Sequence, residues 1–568
     1  MQINKLYKDN EIITLDSYLM KCGVIDTEEY LHPYYNELDD PFQYLNMALG
    51  VEMFQKHFDA LSDTYIICDS DLDGIVSTVI MYQYMKALDK NWNVKILIHE
   101  GKERGLQDDK ILQYIKDNPR PFLIIPDAGT NDKEQANQLS WSCIDILVLD
   151  HHDIEIPIEH GILINNQADN FDFPASISKK GSGSLVTWMF LNALDIRLNN
   201  NWSNYLVDLV ALSLVSDVMD MTDQQNRMFY HYGLETIDCV QNPFLKAIIE
   251  RFIGNTTYSQ RDIAFKIVPK FNSIIRTKNQ ELKYQIIDAF INNYDNYDDI
   301  LDLCAECHKN QIETVTNIIE RYENEIVKIS NNNLVVFSCD DMPRNYSGLV
   351  AAKISDMCDG KPAIVGKNID GEFLGSLRSP IPLRSDLDKN ELVSWAMGHE
   401  QSCGVSIPIN NIQALVDYYN TLELSYEPHI DVLQSYSIND IPNYIYDVFN
   451  ASTDVLWGHN IPKPLFEVHD IVIHPNDIQV LGGNKRTLKM FCNGLSILIF
   501  NATKQNKKDL GIEDINNPKT EPIKLSCVGT LSINNYVSKY GKVYTNNQMI
   551  VDSYEIHKVK TQKDVFKS

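Results

Sequence analysis

The stretch CDSDLDGIVS, residues 68–77, sets aspartates at 69, 71 and 73 and follows them with glycine. Carboxylates spaced this closely repel one another, so they require a cation. An EF-hand calcium loop is the first chemistry to weigh, and it fails twice. Its twelfth position needs a bidentate carboxylate, where this chain has Ile80. The residues ahead of the acids, TYIICD, read as a short buried strand and not as the required helix. The rest of the site must therefore come from elsewhere. Three segments offer it: Asp127 in PDAG, Asp150, His151 and His152 in LDHHD, and Asp217 in ALSLVSDVMDM. Carboxylate oxygen with imidazole nitrogen suits manganese or magnesium, with manganese favoured, and no cysteine is placed to indicate zinc. Two divalent ions about 3.5–4 Å apart, sharing a carboxylate, can activate water for phosphoester hydrolysis. One ion would neutralise only two of these acids, so their number asks for two.

A repeating pattern of elements positions these residues. TYIICDS, NVKILIH, PFLIIPD, IDILVLD and GILINN read as strands, separated by amphipathic stretches such as IVSTVIMYQYMKALDK and DKILQYIKDN. Strand–helix alternation predicts a parallel sheet with helices on both faces, and ligands in such sheets bind beyond the carboxyl ends of the strands. The chain of 568 residues is long enough for about three or four domains. Residues 1–58 form a lead-in expected to pack on the first α/β domain, 59–235. Residues 280–330 carry helical periodicity and few breakers, so 236–330 is expected to be a helical connector. A second, smaller α/β domain covers 331–430, the stretch from there to 455 reads as a junction, and five or so short strands from 456 to 568 predict a small β-barrel.

Composition narrows the function. Net charge is −28, which excludes a surface that is basic throughout. The segment 456–568 instead carries 15 Lys and Arg against 10 Asp and Glu, a basic module on an acidic body. No apolar run reaches the ~20 residues of a membrane span, and the first residues lack a signal-peptide core, so a cytoplasmic protein is expected. The 11 cysteines show no disulfide framework. CAECH, residues 304–308, fits a haem-attachment spacing but falls in the helical connector, where three residues on a helix is the better reading.

DSDLDG, PDAG, LDHHD and SDVMDM together resemble the motifs of the DHH phosphoesterase superfamily, and the order of modules resembles its RecJ branch of single-strand-specific exonucleases. GVIDTEEYLHPYYNELDDPFQYLNMALGVE is similar to that branch's lead-in, and VPKFNSIIR to its P-R-I-N-A-A-G-R segment. GSLRSP and GHEQSCGVSI resemble stretches of the DHH-associated domain, and the C-terminal strands resemble its OB-fold. The resemblance implies a parallel-sheet DHH domain and a smaller α/β DHH-associated domain joined by the helical connector, plus a C-terminal OB-fold β-barrel. It implies Asp69, Asp71, Asp73, Asp127, His151 and Asp217 as metal ligands, Asp127 bridging two ions. His152 would face the scissile phosphate or the attacked water, and Asp150 would orient the histidines from behind. Arg276 and Lys270 match basic positions of the P-R-I-N segment. Arg378, with a planar fork suited to phosphate, its neighbour Ser379, and His399 lie in the substrate-binding stretches. In GSGSLVTWMF the helix start around Ser182 and Ser184 either receives a phosphate on its N–H groups or is a plain turn capped by those serines.

The chain departs from the family pattern at Met397, which stands for a glycine, at SCG for A-A-G, at Lys270 for arginine, and at Ile274 and Ile275 for a small pair. The activity implied is a metal-dependent 5′-to-3′ exonuclease releasing mononucleotides from single-stranded DNA in repair or recombination. A monomer is expected, fed by a helicase or a single-strand-binding protein. Phe491, Tyr536, Tyr540 and Tyr544 are candidates for stacking bases on the barrel. Two alternatives stand beside it: a DHH phosphodiesterase on oligonucleotides or cyclic dinucleotides, and an inactive single-strand-binding scaffold.

Overall fold

The computed structural model describes residues 2–557 apart from 10, 35–37, 100–103, 119, 141, 170–176, 255–257, 277–278, 423, 425–428, 450, 483–484, 515–517 and 538–542, and apart from the side chains of 429, 451–452, 535–537 and 543–544. Five parallel strands form the first sheet: β1 (Thr64–Cys68), β2 (Val94–Ile98), β3 (Phe122–Pro126), β4 (Ile146–Asp150) and β5 (Ile162–Asn165), in the order β2-β1-β3-β4-β5. β3 and β4 are buried at every position, which is why they read as continuous apolar runs without alternation. On one face lie α1 (Leu72–Leu88) and α2 (Gly183–Leu198), both apolar nearly all round, as helices enclosed in a core must be. They share one core with Ile66, Ile124 and Leu149. The opposite face is covered by Leu112, Ile115, Ala136 and Leu139, packed on Ile67, Leu123 and Val148.

A helical region follows, including α3 (Val207–Ser216), α4 (Val268–Ile275) and the long α5 (Asp298–Ile329). Cys304 of CAECH is buried on α5, while Cys307 and His308 are half-buried on the same helix. The second sheet comprises β6 (Val335–Ser338), β7 (Ala363–Ile369), β8 (Glu372–Arg378), β9 (Trp395–His399) and β10 (Ser402–Pro408), in the order β9-β10-β8-β7-β6. Only its β6–β7 pair is parallel.

The C-terminal unit holds seven strands, two more than its sequence announces: β11 (Ser435–Ser437), β12 (Phe466–Ile473), β13 (Gln479–Leu481), β14 (Thr487–Cys492), β15 (Leu495–Ile499), β16 (Ile523–Val537) and β17 (Val543–His557). The sheet curls, bringing Cys492 Sγ of β14 to 3.7 Å from the Val472 carbonyl of β12, consistent with an OB-like module. It begins at Ser435, inside what reads as a linker.

The lead-in does not pack solely on the first α/β unit. Tyr44, Met47, Val51 and Phe54 do so. Residues Gln2–Lys5 instead pair in parallel with His429–Val432, and Tyr7, Ile13, Tyr18, Leu19, Val24 and Tyr30 enter the C-terminal core. Tyr18 OH donates to the Pro462 carbonyl at 2.6 Å and Tyr30 OH to that of Leu456. Deleting 456–568 would return these six side chains to water, a loss on the order of 10 kcal/mol at ~1.5–3 kcal/mol each. The expected product is aggregated protein, checked by soluble yield and size-exclusion chromatography.

Candidate metal centre

The carboxyl ends of β1, β3 and β4 converge, as the crevice rule for parallel sheets requires. Asp69 follows β1 directly. Asp71 caps α1, its carboxylate accepting from Gly74 N at 3.0 Å. Asp73, in the first turn of α1, is 2% exposed. Asp127 follows β3 with a left-handed backbone, φ +63°, a conformation rare outside glycine that turns its side chain back over the sheet. Asp217 closes α3, its N–H donating to the Ser213 carbonyl.

Two triads result. Asp69, Asp71 and Asp127 bring one ligand atom each within 4.8 Å of one another, and so do Asp73, His151 and Asp217. His151 Nε2 stands 3.3 Å from Asp127 Oδ1, 3.6 Å from Asp217 Oδ2 and 3.9 Å from Asp73 Oδ2. Asp127 thus lies against both triads. Its Oδ1 and Asp69 Oδ2 are buried without a hydrogen-bond partner, and such orphaned anionic oxygens in a polar cluster fit a cation. Burial and the neighbouring acids hold the Asp127 and Asp217 carboxyls well above their ordinary range. Burial, then Asp71, raises Asp69 to about 7.

A carboxyl raised in the folded state binds protons that the unfolded chain has already released. The metal-free fold therefore loses stability as pH climbs from the ordinary aspartate value toward about 7. A cation reverses that loss and competes with those protons. Manganese is expected to raise Tm more at about pH 8 than at about pH 5.5, measured by thermal melts with and without the ion.

Asp73 behaves differently. Burial alone would raise it, but His151, Ser184 and Ser213 outweigh burial and hold it below the usual carboxylate range. It accepts from the backbone N–H groups of Gly183 at 2.8 Å and Ser184 at 2.9 Å, from Ser184 Oγ at 2.6 Å, and from Ser213 Oγ. Ser182 caps α2 and pairs with Ser213 at 2.8 Å. The N-terminus of α2 does receive an anion, but that anion is Asp73. Ser182 and Ser184 are fully buried, and the N–H and Oγ of Ser184 both go to Asp73, so neither side chain is exposed to a phosphate and the capped turn describes them.

Asp150 is saturated. Its Oδ2 accepts from Thr130 N and Oγ1, and its Oδ1 from His151 N, His152 N and His152 Nδ1. It orients the His152 ring at 2.8 Å but reaches His151 only through the backbone. Arg104 Nη1 lies 2.8 Å from His152 Nε2. The guanidinium only donates, so Nε2 accepts and the ring is neutral while this contact holds. Burial, and more weakly the charge of Arg104, pull His152 down, while the hydrogen bond and charge of Asp150 lift it above the ordinary histidine range. Thr130 and Arg104 have no place among the sequence motifs, and Ser213 lies in ALSLVSDVMDM without being singled out there. Ser213 was detectable four residues before Asp217 on one helix face; Arg104 carries no periodic signal.

The other candidates gather at a second place. Arg276, at the end of α4, and Arg378, at the end of β8, are neighbours. Burial and then Arg378 pull Arg276 down, and burial pulls Arg378 down. Neither meets a carboxylate within 4.0 Å among the described residues. Asn345 donates to the Arg276 carbonyl at 3.0 Å, tying α4 to the second α/β unit. Ser379 N donates to the Gln401 carbonyl, which brings the exposed His399 to the same end of that sheet, while Ser379 Oγ is engaged by Ile381. Lys270 does not join them. It lies 4.5 Å over the Phe252 ring and donates to the Lys266 carbonyl. Phe491 is 64% exposed on β14. Tyr540 lies outside the described residues, as do the side chains of Tyr536 and Tyr544.

Residues 63–214 match the DHH family, N-terminal domain. The chain is 24% identical, over 79% of its length and 81% of the relative, to YorK of Bacillus subtilis (strain 168), named as an SPbeta prophage-derived single-strand DNA-specific exonuclease. RecJ from Thermus thermophilus superposes in its Mn2+ complex with TM-score 0.72 at 17% identity, covering 96% of this chain and 76% of that one. Its Mg2+ complex gives 0.65 at 17% identity, covering 99% and 78%. Among the described residues no helix is long and apolar enough to cross a membrane. Residues 63–214 therefore match the DHH family's N-terminal domain, and the chain built around them has the fold of RecJ.

Proposed function

We propose that the chain is a metal-dependent exonuclease that hydrolyses single-stranded DNA from its 5′ end to 5′-mononucleotides. The observation that carries this reading is the pair of acid and histidine triads meeting at Asp127. The naming of YorK as a single-strand DNA-specific exonuclease and the RecJ fold support it, and the polarity rests on the family resemblance. Asp69, Asp71 and Asp127 would hold one divalent ion, and Asp73, Asp127, His151 and Asp217 a second, manganese preferred over magnesium. Bound there, the ions supply Lewis acidity for water attack on a phosphodiester.

The chain's own groups do the rest. Ser184, Ser213 and the N-terminus of α2 hold Asp73 ionised and aimed. Asp150 fixes the His152 ring with Nε2 outward, where it can donate a proton or hydrogen bond to a phosphate oxygen. Arg276 and Arg378, with no carboxylate partner among the described residues, offer two cations to a further phosphate of the strand. Phe491 offers a ring on which a base can stack, worth ~1–3 kcal/mol.

The test is digestion of single-stranded and duplex DNA labelled at either end, with manganese or chelator. Metal-dependent release of mononucleotides from the 5′ end of single strands is expected. Cleavage of dinucleotides or cyclic dinucleotides alone would transfer the chain to the small-substrate phosphodiesterases, and binding without cleavage would make it a scaffold.

A further inference from the structure

Arg104 lies outside every acid and histidine motif, yet the residues that follow it are firmly held. Gly105 has φ +50°, and a Cβ there would come within 2.2 Å of Asp132 Oδ2 and 3.1 Å of the Gly129 backbone. Buried Asp132 accepts from Leu106 N at 2.7 Å and from Gln107 Nε2 at 2.8 Å. Residues 105–107 are thus clamped to the turn that follows Asp127. From it the Arg104 side chain, 52% exposed, reaches over the acid cluster with Nε 3.6 Å from Asp69 Oδ2. That distance is too long for a hydrogen bond. Among the described residues the contact with His152 is that side chain's one hydrogen bond, which leaves most of the five guanidinium donors without a partner there.

We infer that Arg104 grips the phosphodiester being cleaved, its planar fork taking a non-bridging oxygen at the mouth of the acid cluster. The inference rests on the phosphodiester hydrolysis proposed above and adds a substrate contact to it. Guanidinium matches phosphate with two parallel hydrogen bonds, which an ammonium cannot do. Without substrate the fork rests on His152. A phosphate drawing it away would free Nε2 toward the same group, so one displacement would ready both side chains.

Arg104→Lys separates this role from simple neutralisation of the acids, because it keeps the charge and loses the fork. The full chain is assayed with manganese on bis(4-nitrophenyl) phosphate and on single-stranded DNA whose terminal linkages are Rp or Sp phosphorothioates. Manganese affinity and Tm are measured in parallel. The expected result is a fall in kcat on the order of 100-fold in Arg104→Lys and Arg104→Ala, a changed rate ratio between the two diastereomers, and unchanged manganese affinity and Tm. A lysine variant as active as wild type, or manganese affinity falling in step with activity, would overturn the inference. Wild type active on the small diester but not on DNA would revise the proposed substrate and leave Arg104 to be judged on the diester. Wild type inert on both would refute the hydrolytic reading, and this inference with it.

Discussion

Asp127→Asn is expected to abolish cleavage of single-stranded DNA, by on the order of 1,000-fold or more in kcat, in a protein at least as thermally stable as wild type. The two effects have one cause. Asp127 is 1% exposed, with Oδ1 unpaired and its carboxyl held high by burial and by Asp73, Asp71, Asp69 and Asp217. An amide of the same shape removes that repulsion from the metal-free fold. It also removes an anionic ligand that both triads share. Manganese should then raise Tm by much less than in wild type, while the metal-free Tm holds or rises. Steady-state kinetics beside paired melts checks both halves. A variant that melts far below wild type would show that Asp127 holds the fold together as well as the site.

Gly183→Ala is expected to damage both activity and stability. A Cβ at this position would fall 2.6 Å from Asp127 Cβ and 2.7 Å from Asp127 Cα, distances at which a backbone must give way. Overpacking of this kind costs about 1–3 kcal/mol. The backbone that must move carries the N–H held by Asp73, so the ligand geometry shifts with it. A loss on the order of 100-fold in activity is expected, with Tm lowered and manganese affinity weakened together. Ser182→Ala makes the contrast: it removes a buried cap and a hydroxyl pair but creates no clash.

The first sheet was legible because its strands are buried on both faces and so appear as unbroken apolar runs, each ending in polar residues. Its acids and histidines were legible for the same reason, since a parallel sheet delivers strand ends to one crevice. The start of α2 was read only halfway. Its glycine–serine sequence announces a helix N-terminus that attracts an anion, but nothing local says whether the anion is a ligand's or Asp73, 110 residues earlier. The docking of Tyr18 and Tyr30 on the C-terminal unit was hidden by separations of 444 and 426 residues. Lys270 shares a segment with Arg276, but Lys270 folds back onto Phe252 while Arg276 meets Arg378. The extra C-terminal strands are β11 and β13, three residues each, too short to leave a periodic pattern.

The most direct test of the central claim is the manganese content of the cluster, read by anomalous diffraction from crystals of the wild-type chain grown with the ion. Two manganese peaks are predicted, one beside Asp69 and Asp71, one beside Asp73, His151 and Asp217, with the Asp127 carboxylate between them. A single peak in an active enzyme, or none, would contradict the shared role of Asp127 on which the account rests.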